Sequence, residues 1–385
     1  MREILLIDGD HPEYQMMDSS LWGSLPDHLV EKILSRLPIQ SFSRFRTVCK
    51  SWNELVHSRS FLKACEEVPS GGPWFLVFTG DKNKTEPTYD PSLKKWHRIR
   101  LPSLPLEFDP FIMSSDGGLI CYYTFEGFVV VLNPLTKACR SLPPMEASLA
   151  CVHMICMVTD RATKSYQVFV AGRVKNDEGM YIIEVEVYDS RNDSWYSVGN
   201  LSSKISIIRN QGGRGAVYAS GCVHVICYDE PKGLLAYSLD DHVWSRIATP
   251  LPESVSYEEL VQWRERIFMV GGREDGDLIA SICIWELHTA SWEWVLVDIM
   301  PDDLFQEFFL ADEADDVSLS CTGCGNLILL LSSKATVDCS GPHRHVLYDF
   351  EKRQWTMVQG YAPDEHVMGS SSEAIGYEPR LDAIV

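Results

Sequence analysis

The sequence predicts a mainly β protein, a six-bladed β-propeller preceded by a small α-helical module. Two observations lead to this fold class. Between Trp22 and Phe61, apolar residues recur every three or four positions, a spacing typical of amphipathic helices. After Trp74, a strand–turn–strand pattern with a large residue at a fixed offset recurs six times. Small antiparallel sheets repeated about an axis form a propeller.

The first predicted helix is short and has one apolar face. That face consists of Leu29, Ile33, Leu34 and Leu37. Ser24 can cap the helix, and Pro26 suits its first turn. Pro38 ends it, because proline lacks a backbone donor and disfavours the α region for the residue before it.

A second helical pattern follows directly. Its apolar positions are Phe42, Phe45, Val48, Cys49, Trp52, Leu55 and Val56. A module of about forty residues cannot bury so much apolar surface by itself, so a partner must cover part of it. Between Ser41 and Lys63 the charged residues are mainly basic, and they indicate an acidic partner: Arg44, Arg46, Lys50, Arg59 and Lys63, against Glu54.

These residues closely resemble the F-box, with the family's spacing kept. The matching positions that the resemblance assigns to adaptor binding are Trp22, Leu25, Pro26, Leu29, Ile33, Leu34, Leu37, Pro38, Val48, Cys49, Lys50 and Trp52, and Arg44 and Arg46 also match. So many ordered matches favour the F-box over a plain helical hairpin. The resemblance implies docking onto the Skp-family adaptor and, through it, onto the cullin and RING subunits of a ubiquitin ligase.

The repeat consists of six hairpins. They are YDPSLKKW ending at Trp96, LNPLTKAC at Cys139, YDSRNDSW at Trp195, YSLDDHVW at Trp244, WELHTASW at Trp292 and YDFEKRQW at Trp355. Successive copies lie roughly 43 to 63 residues apart, a period typical of propeller blades. In five copies a tryptophan opens the returning strand, where its large flat side chain can pack between neighbouring sheets. The second copy has Cys139 instead, which keeps the pattern but weakens that unit.

One unit, Ile267 to Trp294, resembles a complete kelch repeat. Gly271-Gly272 end its second strand, and Trp285 and Trp292 lie in its two hairpin strands. The other units keep the hairpin but lack the glycine pair, so the whole chain resembles plant-type F-box/kelch-repeat proteins with mostly degenerate repeats.

The predicted organisation has four parts. These are an N-terminal tail (1–20), the F-box module (21–65), a turn-rich linker (66–73) and the propeller (74–385). The first blade is one strand short. We expect Ser372–Tyr377 to supply that strand and to close the ring, which removes two exposed sheet edges.

Composition narrows the classes of partner. The 385 residues carry a net charge of −20, which argues against non-specific nucleic-acid binding. The acids between Asp302 and Asp316 are typical of a solvated loop. We expect no signal peptide and no membrane span, because no apolar run is long enough. Twelve scattered cysteines favour reduced thiols in a cytoplasmic or nuclear protein.

Motifs of catalysis are missing from the sequence, and we expect neither an enzyme nor a bound cofactor. The best metal candidate is Cys321, Cys324, Cys339 and His343 with His345 nearby, but glycines beside the first two cysteines favour a turn instead. His153 and His224 lie in apolar strand runs and are interpreted as core residues. Glu184 and Glu186 alternate with apolar residues, so they are expected on an outward strand face rather than as a catalytic pair.

Two classes of function remain open. The chain is either the receptor of a ubiquitin ligase, with a target protein on the propeller, or a kelch-type propeller enzyme or small-ligand sensor. A non-degradative F-box scaffold is a further alternative. Long loops between blades are the expected target face. Candidate contacts on that face are Phe108, Phe111, Arg209, Arg214, Phe305 and Phe309, although each phenylalanine can equally fill a gap between blades.

Overall fold

The computed structural model describes residues 25–69, 71–78, 85–102, 110–124, 126–176, 179, 181–201, 216–228, 232–276, 278–310, 317–334, 344–359 and 373–385. The helices come first along the chain. They are α1 (Asp27–Leu34), α2 (Phe42–Arg46), α3 (Lys50–Glu54) and α4 (Arg59–Glu66), with 3₁₀ turns at Ile39–Ser41 and Leu55–His57. A short helix α5 (Asp302–Phe305) continues into a π-helical turn (Gln306–Leu310). The predicted loop at Asp302 is therefore partly helical.

The described residues beyond the helical module form 24 strands. In chain order these are β1 (Trp74–Phe78), β2 (Thr85–Asp90), β3 (Lys95–Arg100), β4 (Pro110–Asp116), β5 (Leu119–Thr124), β6 (Val129–Leu132), β7 (Cys139–Ser141), β8 (Cys151–Asp160), β9 (Ser165–Lys175), β10 (Tyr181–Asp189), β11 (Ser194–Leu201), β12 (Ala216–Ala219), β13 (Cys222–Cys227), β14 (Gly233–Ser238), β15 (Val243–Ile247), β16 (Val255–Trp263), β17 (Arg266–Asp275), β18 (Leu278–His288), β19 (Glu293–Ile299), β20 (Val317–Cys324), β21 (Leu327–Lys334), β22 (Arg344–Asp349), β23 (Gln354–Val358) and β24 (Glu373–Tyr377).

These strands form six four-stranded antiparallel sheets, which confirms the predicted six-bladed propeller. Blade 1 has the order β24-β1-β2-β3, and blades 2 to 6 each take four consecutive strands from β4 to β23. The innermost strands β24, β4, β8, β12, β16 and β20 contact one another in a closed ring. Six apolar clusters lie between neighbouring blades, one at each interface.

The C-terminal strand closes the ring, as the sequence predicts. All five residues of β24 pair with β1, from Trp74 with Tyr377 to Phe78 with Glu373. Phe75 and Val77 of β1 are fully buried. Without β24, the inner edge of β1 would lack a partner strand, and unpaired edges of this kind invite association.

The outer hairpins of the blades share one turn. In five blades a side-chain oxygen at the first turn position accepts a backbone N–H, as when Asn133 Oδ1 accepts from Leu135 (2.9 Å) and Asp349 Oδ1 from Glu351 (2.9 Å). In blade 5 the first turn residue is His288, and its carbonyl accepts from Trp292 N (2.7 Å). Two positions before the residue that takes the tryptophan position in the returning strand (Trp96, Cys139, Trp195, Trp244, Trp294 and Trp355), φ is positive, and these residues are Lys94, Lys137, Asp193, His242, Trp292 and Arg353. The polar residue that begins the turn in the other five blades therefore has a structural role, because its side chain accepts backbone N–H groups of the turn.

Blade 5 departs from the predicted register by two residues. Leu287, not Trp285, pairs with the last motif residue, which is Trp294, not Trp292. Trp292 lies in the turn with φ 56°, while Trp294 packs against the cluster between blades 4 and 5. The sequence WEW offers two tryptophans, and only the register of β18 with β19 decides between them.

The glycine pair of blade 5 lies within β17 rather than at its end. A Cβ atom on Gly271 would lie 2.8 Å from Val255 Cγ1, and one on Gly272 would lie 2.9 Å from Ile279 Cδ1. Glycine is needed here because neighbouring strands approach closely.

The helical module lies on the face of the propeller formed by the tight turns. Gln40 Nε2 donates to Asp90 at the β2–β3 turn, and Lys164 in the β8–β9 turn pairs with Glu66 at 2.8 Å. Because each sheet is antiparallel, the longer links between blades begin and end at the opposite face. No helix in the described part of the chain is long and apolar enough to cross a membrane.

Candidate functional site

An exposed apolar row runs along α1 and its exit. Leu29, Ile33 and Leu37 follow one another at four-residue spacing, and each leaves 38–40% of its surface in water. Leu29 N and Val30 N both bond to the carbonyl of Pro26, so the helix begins directly after this proline. Val48, 54% exposed, adds a further apolar side chain from the segment between α2 and α3. We call these four residues the apolar row.

The opposite side of α1 packs inwards. Leu34 is 2% exposed and joins one core with Phe42, Phe45, Val56 and Phe61. The Phe45 ring meets the Phe61 ring edge-on at 6.1 Å. The resemblance placed Leu34 among the adaptor contacts, and this is wrong because the side chain supports the module from inside.

The second helical pattern is broken at Cys49. This residue is extended (φ −155°, ψ 168°), and its thiol accepts the Trp52 N–H at 3.4 Å, which caps α3. Cys49 and Lys50 are exposed, and Trp52 is half-buried with its ring 6.4 Å from Phe45. Leu25 is half-buried, Pro26 and Pro38 are exposed, and Trp22 lies outside the described residues.

The basic residues of the module border the apolar row in sequence and are largely in water. Arg44, Lys50, Arg59 and Lys63 are exposed. Arg46 is half-buried, since its guanidinium lies 5.4 Å from the Phe42 ring and donates to Asn53 Oδ1 at 3.1 Å. Exposed cations near an apolar surface suit a partner with acidic groups at the interface rim.

A hydrogen-bonded link holds the two ends of the module together. The hydroxyls of Ser58 and Ser60 both donate to Glu31 Oε1, at 2.8 and 2.9 Å. Ser58 also begins α4 by accepting the Phe61 N–H. The link ties α1 to α4, so the direction of the apolar row depends on the whole module.

The C-terminal tail (residues 378–385) fastens the module to the propeller. Leu381 is buried in the core that contains Phe61 and Cys65. Asn133 Nδ2 donates to the carbonyls of Arg380 (2.9 Å) and Ala383 (3.0 Å). Burial raises the pKa of the Cys65 thiol to about 12, and the Asp382 carboxylate adds to that rise. The apolar row is therefore held at a set orientation relative to the blades.

Two of the predicted target contacts are buried. Phe305 and Phe309 are 4% and 6% exposed, and their rings stack at 5.5 Å within the cluster between blades 5 and 6. Their assignment as exposed anchors is therefore corrected, because they fill the gap between blades. Phe111 lies in β4, and Phe108, Arg209 and Arg214 lie outside the described residues.

The candidate metal ligands do not converge where they are described. Cys321 faces the cluster between blades 5 and 6, whereas Cys324 packs beside the cluster between blades 6 and 1. His345 is buried with its ring 5.2 Å from Trp96, and Cys339 and His343 lie outside the described residues. Within the described ranges, no cluster of three or more histidine, cysteine or acidic side chains could hold a metal ion.

The inner strands enclose a channel of about 450 Å³. Its lining includes Asp116, Thr159, Glu259 and Thr322. Burial raises the pKa of the Asp116 carboxyl, although the Thr159 amide and hydroxyl both donate to it at 2.7 Å. The Asp116 carboxylate in the channel is therefore already hydrogen-bonded by Thr159.

The predicted histidines and glutamates have structural positions. His224 is buried, and His153 is half-buried at a bulge in β8, where burial lowers its pKa to about 4. Glu186 is also buried, contrary to the expected outward position. Its carboxylate accepts the backbone N–H groups of Glu146 (3.0 Å) and Ala147 (2.5 Å), so it holds the link between blades 2 and 3.

The comparisons with known proteins agree with this architecture. The F-box domain model matches residues 22–64, and the KIB1-4 beta-propeller model matches residues 88–351. Among curated relatives from Arabidopsis thaliana, F-box only protein 6 is 31% identical over 89% of this chain and 71% of its own length. An F-box/kelch-repeat protein is 29% identical, covering 94% and 90%. Protein UNUSUAL FLORAL ORGANS is 24% identical, covering 89% and 80%. The chain therefore belongs to the family of F-box proteins that carry a KIB1-4 β-propeller.

Proposed function

We propose that this protein is the substrate-recognition subunit of an SCF-type cullin–RING ubiquitin ligase. The observation that carries the proposal is the apolar row of Leu29, Ile33, Leu37 and Val48, exposed on an otherwise well-packed F-box. Leu29 and Ile33 share one face of α1, and an exposed apolar helix face with charged residues near it in sequence is typical of a protein interface. The occupant is a Skp-family adaptor, through which the cullin and RING subunits would join.

In this proposal the two faces of the propeller have different roles. The F-box lies on the tight-turn face, and the longer links between blades belong to the opposite face, where a target protein would bind. The chain itself would be non-catalytic, because the bound ubiquitin-conjugating enzyme performs the transfer. Its contribution is to hold the target near that enzyme, which raises the effective concentration of target lysines. We also propose residence in the cytoplasm or nucleus.

The test is adaptor binding by an Ile33→Lys variant. Placing an ammonium group in a dry contact should cost about 2 kcal/mol or more, which weakens binding at least about thirtyfold. The matched control is Leu93→Lys, at a leucine that is 49% exposed on the β2–β3 turn of blade 1. Titration calorimetry with purified adaptor would measure both variants, with circular dichroism to verify folding.

Equal affinity of the Ile33→Lys variant and the wild type would refute the adaptor site. The degradative role is tested separately, in cells. Target abundance should rise in the Ile33→Lys background and with proteasome inhibition. If adaptor binding is lost and no protein's turnover changes, the chain is an F-box scaffold without a degradative role.

A further inference from the structure

A second exposed apolar patch lies on the outer strand of blade 5. Val295, Leu296 and Ile299 of β19 each leave 37–43% of their surface in water. We call these three residues the blade 5 edge. The outer strands of blades 1 and 4 carry basic residues in exposed positions, Lys95 and Arg100 in β3 and Arg246 in β15. Such charges protect a sheet edge from pairing with another chain, and the blade 5 edge lacks them.

The backbone at this edge is open in the described part of the chain. β19 is the last strand of its sheet and pairs with β18 alone. Val297 is an extra residue opposite β18, and Val295 and Leu296 are both exposed although they are consecutive. β19 has seven residues, which is a usual strand length and enough for another segment to pair along it.

The blade 5 edge lies away from the F-box. The module contacts blade 1 through Asp90 and blade 3 through Lys164, and it shares the core between blades 1 and 2. Blade 5 is across the ring from blade 2. β19 also ends at the face with the longer links, next to α5. A segment bound along β19 would therefore leave the apolar row free for the adaptor.

The charges within the chain segment that contains the edge have one sign. From Glu293 to Leu310 the sequence contains Glu293, Asp298, Asp302, Asp303 and Glu307, and no lysine or arginine. Glu293, Asp302, Asp303 and Glu307 are exposed, while Asp298 accepts the Tyr348 hydroxyl at 2.9 Å. Two copies paired through this edge would bring these acids together, so a second copy is disfavoured, and a basic partner is favoured.

We propose that the blade 5 edge binds an extended segment of the target protein, with apolar residues flanked by lysine or arginine. The segment would add to the sheet as a fifth strand, with main-chain hydrogen bonds supplying affinity and Val295, Leu296 and Ile299 selecting apolar side chains. This inference rests on the proposed function, since the occupant is a target.

The experiment uses the full-length protein bound to the adaptor. The probe is a fluorescent synthetic peptide of alternating lysine and valine, and its binding is measured by anisotropy. A Val295→Lys, Leu296→Lys variant should lose at least about tenfold in affinity. The control is Val243→Lys, at a valine that is 57% exposed on the outer strand of blade 4, and it should bind as the wild type does.

Two further peptides separate the contributions. A peptide of equal charge with glycine in place of valine should bind much more weakly, and so should one with alternate backbone amides methylated. Equal binding of all three peptides, or equal losses in the variant and the Val243→Lys control, would show non-specific attraction to an acidic protein and overturn the proposal. No peptide binding with intact adaptor binding would overturn it too, while leaving the docking role of the F-box untouched.

Discussion

At the residue scale, the positions of two neighbouring tryptophans show how register separates structural from exposed side chains. Trp294 occupies the place of Trp96, Trp195, Trp244 and Trp355, each of which packs against the preceding blade. Trp195 Nε1 donates to the Pro143 carbonyl at 2.7 Å, so this position also holds the link between blades. Trp292 instead takes the left-handed turn position and leaves 38% of its surface in water.

Opposite effects are therefore expected from substituting these two residues. Trp294→Ala should destabilise the protein by about 2–3 kcal/mol, below the range for a fully buried tryptophan because the side chain is half-buried. Trp292→Gly should leave stability unchanged or raise it by up to about 1 kcal/mol, since glycine adopts positive φ without a Cβ penalty. Urea denaturation of both variants would decide, and a larger loss for Trp292→Gly would contradict the assigned register.

At the scale of elements, the hairpins were predictable because each turn repeats the same chemistry. Asp90, Asn133, Asp189 and Asp349 were identified from spacing alone, and their side chains do accept turn N–H groups. In blade 5 the sequence interpretation placed the start of the hairpin motif at Trp285-Glu286, because an aromatic residue followed by an acid begins the motif in other blades. The structure instead begins the hairpin at Leu287, as it does at Leu132 in blade 2. The exposure of Leu296 could not be predicted, because strict alternation along a strand would turn one of the consecutive residues Val295 and Leu296 inwards.

The closing strand depends on a close approach that only glycine allows. A Cβ atom on Gly376 would lie 2.6 Å from Cys324 Cβ and 2.7 Å from the Gly323 carbonyl oxygen of the neighbouring inner strand. Gly376→Ala should therefore destabilise the protein by about 1–3 kcal/mol, the usual cost of overpacking. Gly71→Ala is the matched control, because a Cβ there meets nothing within 4 Å. Equal unfolding midpoints for the two variants would mean that β24 does not hold this position in the ring.

At the scale of the whole molecule, the order of modules was predictable, but the way in which they join was not. The F-box pattern identified which residues are apolar, yet Leu34 and Ile33 are adjacent and only their contacts show that one faces the core and the other faces water. The tail residue Leu381 gave no sequence signal, because a single leucine among charged residues has no periodicity. It nevertheless lies in the same core as Phe61 and Trp74.

Removing the F-box tests how far the two modules depend on each other. The helices contribute to the cluster between blades 1 and 2, while the five other clusters contain propeller residues alone. A protein starting at Gly71 should therefore fold as a monomeric propeller, with a lower Tm because Trp74 and Leu381 lose neighbours. It should also fail to bind the adaptor. Calorimetry and sedimentation would measure stability and mass. Should this protein aggregate or unfold without a cooperative transition, the helices must be counted as part of the propeller core, and the predicted boundary between the modules would be wrong.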